Sequence, residues 1–534
     1  MTSPQLRTSP PRSDRQRWIL FGAIACCLLL GGIVLFDRAI AQPFSHDEHQ
    51  FVSAGWWLAY HGLLPYRDFP YHHMPYQIPL NALAVRLSPY LLLSGRMVSW
   101  VAAWLASMVL FAAVWREFRQ RSRLVAGLAA GTTVLVFISQ PIVAYTTGQA
   151  WNHDWANLLA LGAVVLHIRA LDGRFTLRTA FAIGLMAGLA AGVRLSYAVL
   201  CPLLLASAAA MPGEYAARGR RAAAVLAGVV VAGVPAAILL AIDPKAFGYG
   251  NVLYPILNST YREVLRHWSG DELLAKLAYF AETVLVQPGN VALLVGFLGL
   301  SVLGLRARLR DAASRHVVML GALATVLLFL TGFAPTPAWY QYFFACVPFA
   351  ILTSAMVAAR IAGERWRRVA LAGACLVALV SIATGMWDGQ IVRRLQSPET
   401  WVPIQVHRLG QRLAEAVPGG KVLTLGPVLA MEGGLSTYEA LATGPFTWRV
   451  AHIIPQANRR LVGWIGRDDL AEALAATPPT AVLTGLETAN EGFEPGQRGN
   501  LEQALEVLAL ELGFRREPLP APFMATELSL WLAP

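Results

Sequence analysis

Apolar runs of membrane-spanning length constrain this 534-residue chain more than any other feature. They occupy residues 18–36, 89–115, 124–143, 155–171, 179–193, 196–211, 222–242, 289–305, 316–333, 341–359 and 369–386. A helix crosses the hydrocarbon in about 20 residues, fewer where the bilayer thins or the chain re-enters. Backbone polar groups find no water there, so each run must satisfy its own hydrogen bonds as a helix. About eleven transmembrane helices follow, with 179–211 readable as two spans or as one broken helix. Composition agrees, since only 14% of the residues are charged against about 25% in a soluble chain.

The connections alternate in charge. The tail 1–17 carries Arg7, Arg12, Arg15 and Arg17, and every second connection after it is arginine-rich: 116–123, 169–178, 218–221, 306–315 and 360–368. These segments hold 22 of the 31 basic residues of 1–387, which assigns them to the cytoplasm. Eleven crossings then leave 388–534 outside, and a single span over 179–211 breaks the alternation at Arg218, which favours two. Residues 1–387 carry a net charge of +15 and residues 388–534 a net −4. The overall +11 therefore reflects topology and lipid contact, and no nucleic-acid partner is implied. The run Trp18–Phe36 exceeds a signal-peptide core, so it reads as an uncleaved anchor. The five cysteines lie in apolar stretches without metal-binding spacing and read as small buried hydrophobes.

With the cytoplasmic acids set aside, three carboxylates stand at the outer boundary, where an ionisable group must face water or a partner. Asp47 and Glu48 follow the first span, and Asp154 opens the fourth. In the outer loop 37–88, Ser45-His46-Asp47-Glu48 fits a capping box, which makes Glu48 as much a helix cap as a catalytic group. Phe51, Val52, Gly55, Trp56, Leu58 and Ala59 recur at helical spacing up to Gly62. This predicts an amphipathic helix lying on the membrane, anchored by Trp56, Trp57 and Tyr60. The proline-rich stretch after it, with His72 and His73, predicts a rigid loop able to contact phosphate. Asp154 also suits a helix N-cap. In the outer loop 243–288, Arg262, Arg266 and His267 fall in a segment that reads as an amphipathic surface helix, with Arg262 facing solvent.

His46-Asp47-Glu48-His49-Gln50-Phe51, Gly62-Leu63-Leu64-Pro65-Tyr66-Arg67-Asp68 and His72-His73-Met74-Pro75 together resemble the first outer loop of GT-C glycosyltransferases. The nearest resemblance is to protein O-mannosyltransferases and to aminoarabinose (undecaprenyl-phosphate-sugar) transferases. His-Met-Pro stands where many such proteins carry Lys-Pro-Pro, which leaves the lysine's phosphate contact to His72 or His73. Gln149-Ala150-Trp151-Asn152-His153-Asp154-Trp155 resembles the second outer loop, with its further carboxylate. Gly188–Arg194 is similar to the glycine-rich span that ends in a cation, and Trp339-Tyr340-Gln341-Tyr342-Phe343 to the late tyrosine element. The resemblance spans most of 18–386 and implies a GT-C-like polytopic helical domain over 18–387. It further implies a polyprenyl-phosphate-linked sugar donor and a lipid, glycan or protein acceptor. Asp47, Glu48 and Asp154 are then the catalytic candidates, with Asp47 as base and Asp154 expected to share its cavity. His72, His73, Arg194, Arg266, His267 and Tyr340 become the donor-phosphate candidates. Asp47, Glu48, His49 and Asp154 also offer ligands to a divalent metal, which leaves that cofactor open.

Residues 388–534 read as a soluble, extracytoplasmic α/β domain. Strands are predicted at 421–426, 481–485 and 527–532, and helices at 468–476 and 501–512. No glycine-rich nucleotide loop is present. A secondary transporter or flippase predicts a repeat between halves and ionisable groups at mid-membrane, neither of which the sequence shows. A glycan polymerase or ligase usually carries its large loop late in the chain, whereas the richest loop here comes first. A non-catalytic envelope scaffold is also compatible with this topology.

Overall fold

The computed structural model describes residues 14–533 except 174, 212–213, 265–271, 308, 386, 418, 488–499 and 525. All eleven apolar segments coincide with helices. Among the described residues, eight helices are long and apolar enough to cross a membrane, while Arg123–Ser139, Leu177–Val193 and Leu195–Ala210 are shorter. The chain is a multi-pass helical membrane protein with a small sheet near its C-terminus.

The arginine-rich connections meet at one end of the bundle. Arg360 is 3% exposed and donates through both arms of its guanidinium to Glu117 and Asp172, at 2.6–3.0 Å. Arg121 and Arg310 both donate to the Ala359 carbonyl, at 2.9 and 2.8 Å. The segment 179–211 consists of two helices. Its break at Arg194 lies beside Asn152, before the helix His153–Asp172, whereas Ser207 bonds His167 in the last turns of that helix. The chain therefore runs up to Arg194 and back.

Small residues set the tightest crossing. Leu177–Val193 packs on Tyr215–Ile242, where a Cβ on Gly184 sits 1.9 Å from the Val225 carbonyl oxygen and one on Gly228 2.2 Å from that of Phe181. Backbones approach this closely only through glycine. Pro235 interrupts the second helix, and the Tyr76 hydroxyl fills the gap. It donates to the Ala232 carbonyl and accepts from the Ala236 amide, which ties the first loop to the bundle.

Near the C-terminus four strands form a sheet: β1 (Val422–Leu423), β2 (Ala481–Thr484), β3 (Arg515–Leu519) and β4 (Leu528–Leu532), in the order β1-β2-β4-β3. β1 and β2 are parallel, and β4 runs antiparallel to β2 and β3. The three predicted strands are present. β3 escapes sequence reading because it is an exposed edge bearing Arg515, Arg516, Glu517 and Pro518, residues that protect an edge rather than mark a core strand. The predicted helices shorten to Leu470–Leu474 and Gln503–Glu511.

The expected surface helix after the first span is instead buried. His46–Trp56 carries the capping box, and Glu48 through Trp56 are all buried. Trp56 and Trp57 are 9% and 2% exposed, while Tyr60 remains open at 46%. The covering layer comes from the far end of the chain: Ser53 donates to the Ala442 carbonyl at 2.6 Å. One apolar cluster joins Val52, Trp57, Tyr71 and Tyr261 with Val406, Leu429, Phe446 and Leu483. The sheet region and the first loop thus share a core. Glu432 fastens them to the bundle by accepting from the Leu92 amide, at the start of helix Leu91–Phe118, at 2.7 Å, where a helix favours negative charge.

Candidate active site

A cavity of about 440 Å³ lies at the end of the bundle opposite the arginine cluster, beneath the sheet region. The capped helix contributes His46, Asp47, Gln50 and Phe51, and the proline-rich loop His72 and His73. Asn152, His153 and Arg194 come from the bundle, Tyr254, Asn258 and Arg262 from the segment after Ile242, and Phe446 and Arg449 from the C-terminal region. Trp339, Gln341 and Tyr342 complete the wall, with Ser45, Tyr145 and Trp151. Among these residues Asp47 is the one carboxylate, against three guanidiniums.

Asp47 presents a side chain 24% exposed, within electrostatic reach of Arg194, Tyr145 and Tyr342. Arg194 donates to Asn152 at 3.0 Å and stacks over the Tyr342 ring at 5.0 Å. Arg262 and Arg449 flank the Tyr261 ring at 5.6 and 5.7 Å, and Arg449 bonds Asn258 at 2.8 Å and Tyr254 at 3.2 Å. Arginines held on aromatic faces and by amide oxygens arrive pre-oriented, and their planar forks suit the oxygens of a carboxylate or phosphate.

The loop holding the histidines is rigid. Tyr66 adopts φ +69°, pinned by its amide on the Phe69 carbonyl at 2.9 Å and by its hydroxyl on the His73 carbonyl. His72 packs on Tyr254 and Phe446 at 4.1 and 4.9 Å, and His73 stacks on Phe51 at 5.3 Å. Burial, reinforced by the neighbouring His73 and Arg449, holds His72 well below the usual imidazole range. Burial and Arg194 bring His73 down to about 3. Burial thus opposes on both rings the positive charge expected in place of lysine.

Several expected site residues stand elsewhere. Glu48 is fully buried and gripped by Arg96 at 2.7 and 2.8 Å; it also accepts from the Ala150 amide at 2.8 Å and closes the capping box. Its acceptor positions are taken up by the fold, and it does not line the cavity. Asp154, 1% exposed, turns behind the wall formed by Asn152 and His153, towards the Gly148 backbone and Tyr197. The expectation that it shares Asp47's cavity is therefore corrected: one step around the helix separates it from His153, which does line that space. Tyr340 points to Asn290 and Tyr145, and Tyr342, two residues on, takes the cavity position. Arg262, expected to face solvent, is 3% exposed and lines the wall. Arg266 and His267 lie outside the described residues. Asp47, Glu48, His49 and Asp154 do not converge, and the described residues contain no group of three or more His, Cys, Asp or Glu placed to hold a metal ion. Arg449 and Phe446 had no signal in the sequence, since nothing there ties residues 446–449 to the first loop.

The fold is similar to that of ArnT. ArnT from Cupriavidus metallidurans bound to undecaprenyl phosphate superposes with a TM-score of 0.60 at 12% identity, covering 96% of this chain and 98% of that one. Its apo state gives 0.60 at 11% identity, covering 97% and 98%. The Archaeoglobus fulgidus oligosaccharyltransferase crystallised with Zn and sulfate reaches 0.49 at 12% identity, over 86% and 68%, a likeness too distant to bear on the site. No family model and no curated protein matches the chain.

Proposed function

We propose that this chain is an inner-membrane glycosyltransferase that moves a sugar from a polyprenyl-phosphate donor to an acceptor hydroxyl on the outer side. In this reading the C-terminal sheet region is extracytoplasmic and covers the active site. The observation that carries it is the cavity itself, among whose lining residues a single carboxylate faces three guanidiniums. The ArnT fold, solved in that protein with undecaprenyl phosphate, supports the same class of donor.

The chemistry follows from the charges. An attacking hydroxyl needs a base, which Asp47 supplies, an effect worth about 10²–10⁴-fold. The departing phosphate needs no proton but gains from fixed cations in a site shielded from water. Arg194, Arg262 and Arg449 supply that charge, while His72 and His73 add donors. A second, apolar cavity of about 430 Å³ lies among Phe280, Leu293, Phe297, Phe329 and Phe343, next to the first. Gln341 and Tyr342 line the polar space and Phe343 and Cys346 the apolar one, an arrangement suited to a lipid with a charged head. Glu48 holds the capped helix in place, and Asp154 acts through the start of the helix that bears His153.

Asp47→Asn tests the proposal. With a polyprenyl-phosphate sugar and membrane extracts as acceptor, we expect transfer to fall at least about 100-fold, with insertion and thermal stability retained. Unchanged transfer removes Asp47 as base.

A further inference from the structure

A further cavity, of about 290 Å³, runs between helices from the arginine-rich end of the bundle. Val114 and Phe118 line it from Leu91–Phe118, and Val125 and Leu128 from Arg123–Ser139. Ala358 comes from Val347–Arg360 and Leu371 from Glu364–Ala383. On Arg123–Ser139 the lining extends from Val125 to Val136, about 16 Å at 1.5 Å per residue, or roughly half the hydrocarbon thickness. The groove therefore occupies one leaflet, which the placement of arginine makes the cytoplasmic one. Two of its hydroxyls bond their own helices: Thr133 donates to the Ala129 carbonyl and Ser354 to that of Ala350, each at 2.8 Å. Its surface is thus left apolar.

The membrane-surface end of this groove is cationic. Arg121 and Arg310 both donate to the Ala359 carbonyl, so two guanidiniums come within 2.9 Å of one oxygen. Arg121 also lies over the ring of Phe118 at 5.3 Å, which brings the cations into contact with the apolar lining. Arg367, one helical turn before Leu371, is within electrostatic reach of Arg121. The acids of these connections are engaged with other groups. Glu117 and Asp172 hold Arg360, Glu364 pairs with Arg367 and Arg368, and Asp311 accepts from the Ser314 amide. Two guanidiniums held side by side repel each other unless an anion joins them. Trp366, next to Arg367 in sequence, is 44% exposed, as indoles are at the level of lipid head groups.

We infer that this groove binds one anionic phospholipid of the cytoplasmic leaflet, with its phosphate on Arg121 and Arg310 and an acyl chain between the helices. Guanidiniums grip phosphate oxygens through charge-assisted hydrogen bonds, and basic pockets between spans on that side suit anionic head groups. The tail of a lipid bound at the outer cavity would bring only hydrocarbon here and leave the arginines unmatched. A free phosphate would leave the groove unfilled. Cations joined to an apolar groove fit a molecule that carries both parts. Such a lipid would fasten Leu91–Phe118 and Arg123–Ser139 to Glu364–Ala383, far from the Asp47 cavity, so the site stands independently of the transfer reaction.

Native mass spectrometry of the full-length protein in detergent, titrated with phosphatidylglycerol or phosphatidylethanolamine, tests the site. One phosphatidylglycerol is expected to bind about 10-fold more tightly than phosphatidylethanolamine. Arg121→Gln combined with Arg310→Gln weakens it about 10- to 30-fold, the scale for two basic groups at an anionic lipid surface. Cys375→Trp places an indole in the groove from an exposed position and weakens phosphatidylglycerol at least about 10-fold with both arginines in place. That variant carries the test if the double arginine variant, which loses two bonds to a helix end, fails to fold. Arg169→Gln combined with Arg178→Gln removes equal charge from exposed positions on another connection of the same end and leaves binding unchanged. Equal affinity for the two lipids, or an equal loss in the Arg169 and Arg178 variant, overturns the proposal. So does displacement of the lipid by inorganic phosphate with Cys375→Trp unaffected, which leaves a free-anion site. Occupation by undecaprenyl phosphate that ignores the arginine changes gives the groove to the tail of the donor and overturns it as well.

Discussion

Adjacent carboxylates take different roles here because a helix rotates by about 100° per residue. Asp47 opens to the cavity, while Glu48 turns into the protein and meets Arg96, both side chains 0% exposed. Removing one member of a buried ion pair leaves the other charge uncompensated, which costs about 3–5 kcal/mol. Glu48→Ala is accordingly expected to lower the melting temperature and to lose activity together with fold. Asp47→Asn loses activity alone, and thermal unfolding in detergent separates the two. Arg449 contributes a charge-assisted donor of about 1.5–3 kcal/mol, so Arg449→Ala should weaken donor affinity roughly 10- to 100-fold. Arg449→Lys recovers part of that loss, because it keeps the charge without the planar fork. Titration with undecaprenyl phosphate measures both.

Elements are positioned by contacts between segments far apart in sequence. The crossing of Leu177–Val193 with Tyr215–Ile242 places Arg194 at the cavity, and Gly184 and Gly228 permit the approach. Gly228→Val inserts side-chain atoms against the Phe181 carbonyl and should cost about 1–3 kcal/mol, read as a lower unfolding temperature and weakened donor binding through a displaced Arg194. The capped helix was legible as a helix from Ser45 and Glu48 together with the apolar spacing, but not as a buried one. Periodicity marks an apolar face; it does not say whether lipid or protein covers it. The break at Arg194 was readable because a cation between two apolar runs must reach the boundary.

At the scale of the whole molecule, the sheet region is part of the site. It supplies Phe446 and Arg449 to the wall and shares its core with the first loop. Glu502 gives this region a pH signature. Burial raises its carboxyl from 4.5 to about 8 in the folded state, so between those values the folded chain holds a proton that the unfolded chain has lost. The contribution of Glu502 to stability is therefore greatest below about 4.5 and is lost as pH rises towards 8. Glu502→Gln should flatten that decline in thermal scans at a fixed rate. The sequence by itself determined the bundle and the alternation of charge between its ends. Apolar length and arginine placement answer to the bilayer, which acts on each segment separately. Only the tertiary structure decided that Arg449 joins Arg194 and that Asp154 stands behind the wall. Those outcomes depend on how distant surfaces pack, and no local pattern encodes which of two charged neighbours on a helix will meet a cavity formed by the other end of the chain.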